Sequence, residues 1–286
     1  MKPPIDSYRT VTHPQEFYLD WKAFYEDAYL RGQALRKKYV VEPGLRYGDD
    51  PAFLMNIFYP KRIRHGVPVF VFVHGGAFSE GHPDLYDFLG EKLLEAGVTY
   101  VSIGYRLAPT RFPDCARDVA QGLAWLARHL QAKDWTSPRF SLSGHSAGAS
   151  IAAFLGVRKD IMEEAGLSDS TIDSLALFSG IYDFRPPEVS QNFVLPERRE
   201  EASIFLHTLH APRESLVVYG LPEINVKVNV PDSFKRRAEL LADSLRANGH
   251  HATLLELPDA DHMRTACALE DERVFGAVCD TLGVSA

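Results

Sequence analysis

The chain has 286 residues, 45% hydrophobic and 24% charged, with a formal net charge of -7 at pH 7. That length holds one large domain with a substantial core, and the balance of apolar and charged residues is that of an ordinary globular protein. The negative charge argues against nucleic acid or an anionic membrane surface as partner, and leaves a small uncharged or cationic molecule as the expected one.

The first residues carry Lys2, Asp6 and Arg9 with Pro3 and Pro4, and no apolar run follows that would make a leader segment. The longest apolar run, residues 67–73, is far too short to span a bilayer. Cys115, Cys267 and Cys279 are odd in number and lack metal-ligand spacing, which fits reduced thiols in a cytoplasmic protein. No metal and no cofactor is expected.

Along the chain, short β-branched and aromatic runs alternate with helical stretches, the pattern of a mostly parallel sheet covered on both faces. Residues 14–39 read as a helix, with Thr12 and Gln15 as a capping box and Phe17, Trp21, Phe24, Tyr25 and Ala28 at helical spacing. Residues 45–48 and 54–59 read as strands, and 67–74 as a central strand apolar on both faces. Residues 84–96 read as helix, 98–105 as strand and 115–130 as a helix with Val119, Leu123, Leu126 and Leu130 on one side. A strand at 139–143 runs into a helix at 147–157, and a strand follows at 175–179. Pro186, Pro187 and Pro196 interrupt the next stretch, where only 197–207 reads as helical. Strand 215–219, helix 232–247, strand 251–257 and helix 268–282 complete the chain. The connections are short and no linker divides them, so residues 1–286 read as a single domain, with 1–40 a helical extension ahead of the sheet.

The chemistry is concentrated in three places. Gly144-His145-Ser146-Ala147-Gly148 sits between a strand and a small-residue helix. A Gly-x-Ser-x-Gly string arises by chance in about one chain in ten of this size; the strand-to-helix placement is what marks Ser146 as a nucleophile held on a sharp turn. His74-Gly75-Gly76-Ala77-Phe78 follows the central strand directly. Glycines there let the N–H groups of Gly75 and Gly76 approach an oxyanion closely, with the N–H of Ala147 as a third donor. His74 reads as a hydrogen-bonder that holds this loop. The base must follow the serine at the end of a late strand. Among 11 histidines, His262 lies on a short loop after strand 251–257, whereas His250 and His251 precede that strand.

Three carboxylates compete for the role of acid. Glu223 is the first after strand 215–219, Asp232 is the next, and Asp183 follows the preceding strand. The chain order of serine, acid and base favours Glu223.

These motifs resemble a known group. His74-Gly75-Gly76, Tyr105-Arg106-Leu107-Ala108-Pro109 and Gly144-His145-Ser146-Ala147-Gly148 are similar to those of the hormone-sensitive-lipase-like carboxylesterases of the α/β-hydrolase superfamily. Ser179-Gly180-Ile181-Tyr182-Asp183, with Gly220 and Glu223, resembles the kynurenine formamidase (arylformamidase) branch. Ala77-Phe78 departs from the formamidase pattern toward the esterases, and the stretch 224–230, intervening before Pro231-Asp232-Ser233-Phe234, departs from the formamidase pattern as well. The resemblance implies an α/β-hydrolase fold with an eight-stranded sheet. It implies hydrolysis of small carboxylic esters through an acyl-enzyme, or of aryl amides, by a monomer or homodimer. Phe78, Tyr182 and Trp21 are the expected substrate-side residues, and the N-terminal helix is expected either to pack on the core or to act as an aromatic lid. A non-catalytic hydrolase-fold scaffold would lose nucleophile or base, and both are present; a dehalogenase would need a carboxylate at position 146.

Overall fold

The computed structural model describes residues 21–64, 66–191, 193–221, 223 and 233–285. Eight strands form one sheet: β1 Val40–Arg46, β2 Leu54–Tyr59, β3 Val69–Val73, β4 Tyr100–Ile103, β5 Phe140–His145, β6 Ile172–Phe178, β7 Glu214–Leu221 and β8 His251–Pro258. Their order is β1-β2-β4-β3-β5-β6-β7-β8. The two pairings that involve β2 are antiparallel, and the other five are parallel. Parallel strands need crossovers, and the helices that supply them cover both faces, which is why β3 can be Val-Phe-Val-Phe-Val with all five residues buried.

Two apolar clusters form, one on each face. The helix Asp114–Gln131 contributes Val119, Leu123, Leu126 and Leu130 to one, together with the helices Ala147–Val157 and Ser233–Ala247. The N-terminal helix Trp21–Lys38 contributes Tyr25, Ala28 and Leu35 to the other, beside the C-terminal helix Glu272–Leu282. Arg36 anchors the N-terminal helix: its Nε donates to Asp87 Oδ2 at 2.9 Å, and its Nη2 donates to Asp84 Oδ1 at 2.7 Å. The Asn56 amide also donates to Asp87, at 2.9 Å, so the buried carboxylate is surrounded by donors. The part of the expected N-terminal helix before residue 21 lies outside the described residues.

Several boundaries differ from expectation. Residues 84–96 form two 3-10 turns, Pro83–Leu85 and Asp87–Leu89, and then a short helix, Gly90–Glu95. Asp84 and Asp87 serve Arg36 and Asn56 there rather than a regular helix. The last helix begins at Glu272, where Asp271 caps it by accepting from Arg273 N and Val274 N; a 3-10 segment, Arg264–Glu270, precedes it. β1 starts at Val40 and continues through Pro43-Gly44 by means of an irregularity between Glu42 and Leu45.

The register sets up the site. Val73 pairs with Gly144, His145 with Phe178, Phe178 with Val218, and Gly220 with Leu257. The carboxyl ends of β3, β5, β6, β7 and β8 therefore stand side by side, and the loops that leave them share one edge of the sheet.

Candidate active site

Ser146 sits between β5 and the helix Ala147–Val157 with φ 54° and ψ -119°, a conformation that L-residues rarely hold. The turn is kept by its neighbours. A Cβ on Gly148 would collide with the Val73 carbonyl oxygen, and one on Gly144 would lie 2.7 Å from that same oxygen. The two glycines let the helix rest backbone to backbone on β3. The Ser146 N–H donates to Phe178 O at 2.9 Å and ties the turn to β6.

His262 reaches the serine from the loop after β8. Its Nε2 lies 2.9 Å from Ser146 Oγ, and its Nδ1 lies 2.5 Å from Glu223 Oε1. The carboxylate accepts, so Nδ1 carries the hydrogen and Nε2 presents its lone pair to the serine hydroxyl. Glu223 Oε2 accepts from the Gly220 N–H at 2.8 Å and from Ser179 Oγ at 2.9 Å. The Glu223 side chain is 1% exposed and that of His262 12% exposed, and Ser146 is half-buried, so the chain of three groups is buried most deeply at its acid end. Phe234 stacks on the imidazole, with ring centroids 4.4 Å apart and planes at 21°.

The loop after β3 is shaped for close approach. A Cβ on Gly75 would stand 2.9 Å from His145 O and 3.3 Å from Ser146 Cβ, so the Gly75 backbone lies against Ser146. Gly76 has φ 116°, Ala77 φ 51° and Phe78 φ 57°, a tight left-handed stretch closed by the N–H groups of Ser79 and Glu80 donating to Gly76 O at 2.9 and 3.0 Å. His74 holds the loop from beneath. Its Nδ1 donates to Gly75 O at 2.8 Å, its ring stacks on Tyr105 at 4.6 Å, and its own carbonyl accepts from the Tyr105 hydroxyl at 3.0 Å. Burial lowers the His74 pKa to about 4, so the ring is neutral.

The remaining expected residues fall elsewhere. Asp183 takes part in an ion pair with Arg185 at 3.0 Å and accepts from Ser203, away from His262. Asp232 and the Trp21 side chain lie outside what the structure describes. Phe78 is buried against Phe112, Phe184 and Phe193, with centroids 5.2, 6.4 and 5.6 Å away. Tyr182, expected on the substrate side, is wholly enclosed: its hydroxyl accepts the Gly180 N–H at 3.2 Å, in space that a Cβ on Gly180 would fill. It braces the turn after β6 instead of facing solvent. Sequence reasoning passed over Ser179, Phe234, His145 and Thr265. Ser179 and His145 stand inside motif strings that give them no role of their own, and Phe234 and Thr265 carry no local signal, because all four roles arise from contacts between distant loops.

A family model for the alpha/beta hydrolase fold matches residues 70–265. The chain belongs to that family. Esterase LipC of Mycobacterium tuberculosis is 27% identical over 282 residues, covering 90% of this chain and 68% of that protein. Kynurenine formamidase of Danio rerio is 27% identical over 234 residues, covering 79% of this chain and 76% of that one. A probable isoprenylcysteine alpha-carbonyl methylesterase of Arabidopsis thaliana is 32% identical over 131 residues, but this chain spans only 27% of its length. Among solved structures, a putative thioesterase from a Silicibacter species superposes with TM-score 0.72 at 17% identity, covering 92% of this chain and 96% of the other. Esterase B from Lactobacillus Rhamnosis superposes with TM-score 0.68 at 18% identity, covering 92% and 91%. The chain is thus an esterase-type α/β hydrolase, a hydrolase of ester or amide bonds. Among the described residues no helix is long and apolar enough to cross a membrane, and no cluster of three His, Cys, Asp or Glu residues is arranged to hold a metal.

Proposed function

We propose that the protein hydrolyses small carboxylic esters through an acyl-enzyme, with Ser146 as nucleophile, His262 as general base and Glu223 as the acid that orients it. The contact of His262 with both Ser146 Oγ and Glu223 Oε1 carries the reading. Ser146 Oγ bonds to the carbonyl carbon while His262 Nε2 takes its proton. The imidazolium is stabilised by Glu223 and then gives that proton to the departing alcohol as the ester bond breaks. A water repeats the sequence: His262 takes its proton, the hydroxide bonds to the acyl carbon, and Ser146 recovers its hydrogen as the acid leaves. The N–H groups of Gly75, Gly76 and Ala147 are the proposed donors to the oxyanion, each in a position where a side chain would obstruct it or where the helix start leaves the N–H unused by the helix. The site is read within one domain that works in the cytoplasm as a monomer or homodimer on a small molecule.

Phe78 and the aromatic side chains packed on it form the proposed wall of an acyl pocket suited to short chains. A second reading, arylformamide hydrolysis, draws on the Danio rerio relative and on Ser179, the first residue of the formamidase-like string, which anchors Glu223. One experiment tests both readings: p-nitrophenyl esters of rising acyl length are assayed beside N-formyl-kynurenine. The ester reading expects highest kcat/KM on the short acyl chains. A formanilide rate exceeding every ester overturns it in favour of the amide reading, and activity that rises with chain length overturns the short-acyl assignment.

A further inference from the structure

The middle residue of the nucleophile turn has a second partner across the site. His145 Nε2 lies 2.8 Å from the backbone carbonyl oxygen of His262, and Thr265 Oγ1 lies 2.8 Å from the same oxygen. His145 Nε2 and Thr265 Oγ1 are themselves 3.2 Å apart. A carbonyl oxygen has two lone pairs and donates nothing, so both neighbours must donate to it and together they fill it. His145 is also covalently next to Ser146. The carbonyl of the proposed base is therefore fastened to the same short turn that holds the proposed nucleophile.

We propose that His145 and Thr265 are positioning residues: their two hydrogen bonds to the His262 carbonyl clamp the base loop to the nucleophile turn and set the Ser146–His262 distance.

The proposal rests on the triad reading above. Three further observations support it. The His145 and His262 rings lie with centroids 4.7 Å apart, so the clamp also limits tilting of the imidazole. Both clamping side chains are buried, at 3% and 0% exposure, where water competes little for the carbonyl. Burial, with His262 close by, pushes the His145 pKa well below the ordinary histidine range. His145 is therefore neutral with its hydrogen on Nε2, and no like charge opposes His262 when it takes the serine proton.

The test uses the full chain and p-nitrophenyl acetate, with thermal unfolding and fluorophosphonate labelling of Ser146 followed in parallel. His145→Leu removes the donor, His145→Gln replaces it by an amide N–H of similar reach, and Thr265→Val removes the hydroxyl at nearly constant shape. His145→Leu is expected to lower kcat and the labelling rate by about 30-fold with KM little changed, as a misplaced base would. His145→Gln should recover most of that loss, and Thr265→Val should lose about threefold. A merely structural role would move unfolding temperature and KM alike, without rescue by glutamine. Unchanged kcat in a folded His145→Leu, or His145→Gln as slow as His145→Leu, overturns the clamp. If His145→Leu does not fold, Thr265→Val decides, and an unchanged kcat there overturns it. Ser146→Ala run alongside separates the two claims: an active Ser146→Ala overturns triad and clamp together, whereas an inactive one beside an unimpaired His145→Leu overturns the clamp alone.

Discussion

Ser179 and Glu223 are joined by a hydrogen bond of 2.9 Å between loops that leave different strands, β6 and β7. The Gly220 N–H donates to the same carboxylate oxygen at 2.8 Å. With Oε2 held twice, the carboxylate cannot rotate, and Oε1 is presented to His262 Nδ1 at 2.5 Å.

From this follows an ordering of carboxylate variants. Glu223→Gln is expected to lose about ten-thousandfold in kcat, because an amide that donates to Nδ1 favours the wrong tautomer. Asp183→Asn and Asp232→Asn should lose little. Ser179→Ala, which removes one of two anchors on Oε2, should fall between, at about tenfold. Steady-state kinetics on one ester rank all four, and a crippled Asp232→Asn would show that the acid had been misassigned.

Ser146→Ala is expected to lose on the order of a millionfold in kcat while the unfolding temperature stays near wild type. His262→Ala should match it, and the double variant should be little worse than either, because the pair acts as a unit. Losses that multiply would show that His262 does not serve Ser146.

The N-terminal helix is a stability element by its contacts. Tyr25, Ala28 and Leu35 are at most 3% exposed, and Arg36 pairs with Asp87, which is fully buried. Arg36→Ala should destabilise the fold by about 3 kcal/mol at neutral pH, since it leaves that carboxylate without its cation. Burial raises the Asp87 pKa to about 6 even with Arg36 in place, so the carboxyl takes up a proton in acid and the loss should shrink as pH falls. Denaturant unfolding of both proteins across this range measures it. Removing residues 1–38 is accordingly expected to lower the unfolding temperature sharply. The lid idea is better tested by Trp21→Ala, with a rise in KM for aryl esters as its signature and an unchanged KM as its refutation.

Acid should unfold the protein partly through His74. Its pKa is about 4 when folded, against an ordinary value of 6.5. The unfolded chain therefore binds the proton first as pH falls. The stability this group contributes is whole above 6.5 and is lost as pH falls through about 4. Between about pH 7 and about pH 5 the loss amounts to about 2 kcal/mol. His74→Gln, which keeps a donor for Gly75 O, should lose that much less stability over the same interval. Parallel slopes for the two proteins would show that His74 does not titrate with unfolding.

How far the sequence carried depends on whether each signal was local. The strand-turn-helix around Ser146, the double glycine after β3 and the late histidine are each written in a few adjacent residues, and the register of the sheet brings their loops to one edge. Glu223 was reached by chain order alone, and what singles it out over Asp183 is the partner set: Asp183 faces Arg185 and Ser203. Helix 84–96 failed as an expectation because Asp84 and Asp87 look like first-turn residues but are used by Arg36, 48 and 51 positions away. Tyr182 carries no local signal of its burial: the space left by Gly180 draws its ring inward, where the hydroxyl accepts the Gly180 N–H.

The contact between Gly148 and β3 has a consequence for how such an enzyme can change. No side chain stands between the helix behind Ser146 and the strand that carries the double-glycine loop; the Val73 carbonyl fills the place of a Cβ. Ser146 and the loop are thus seated on the same backbone contact, and a side chain added at Gly148 would disturb both. In the proposed acyl pocket, by contrast, side chains meet side chains, around Phe78, Phe112 and Phe193. Selection for altered specificity would therefore collect its mutations on that aromatic wall and leave the glycine seam untouched.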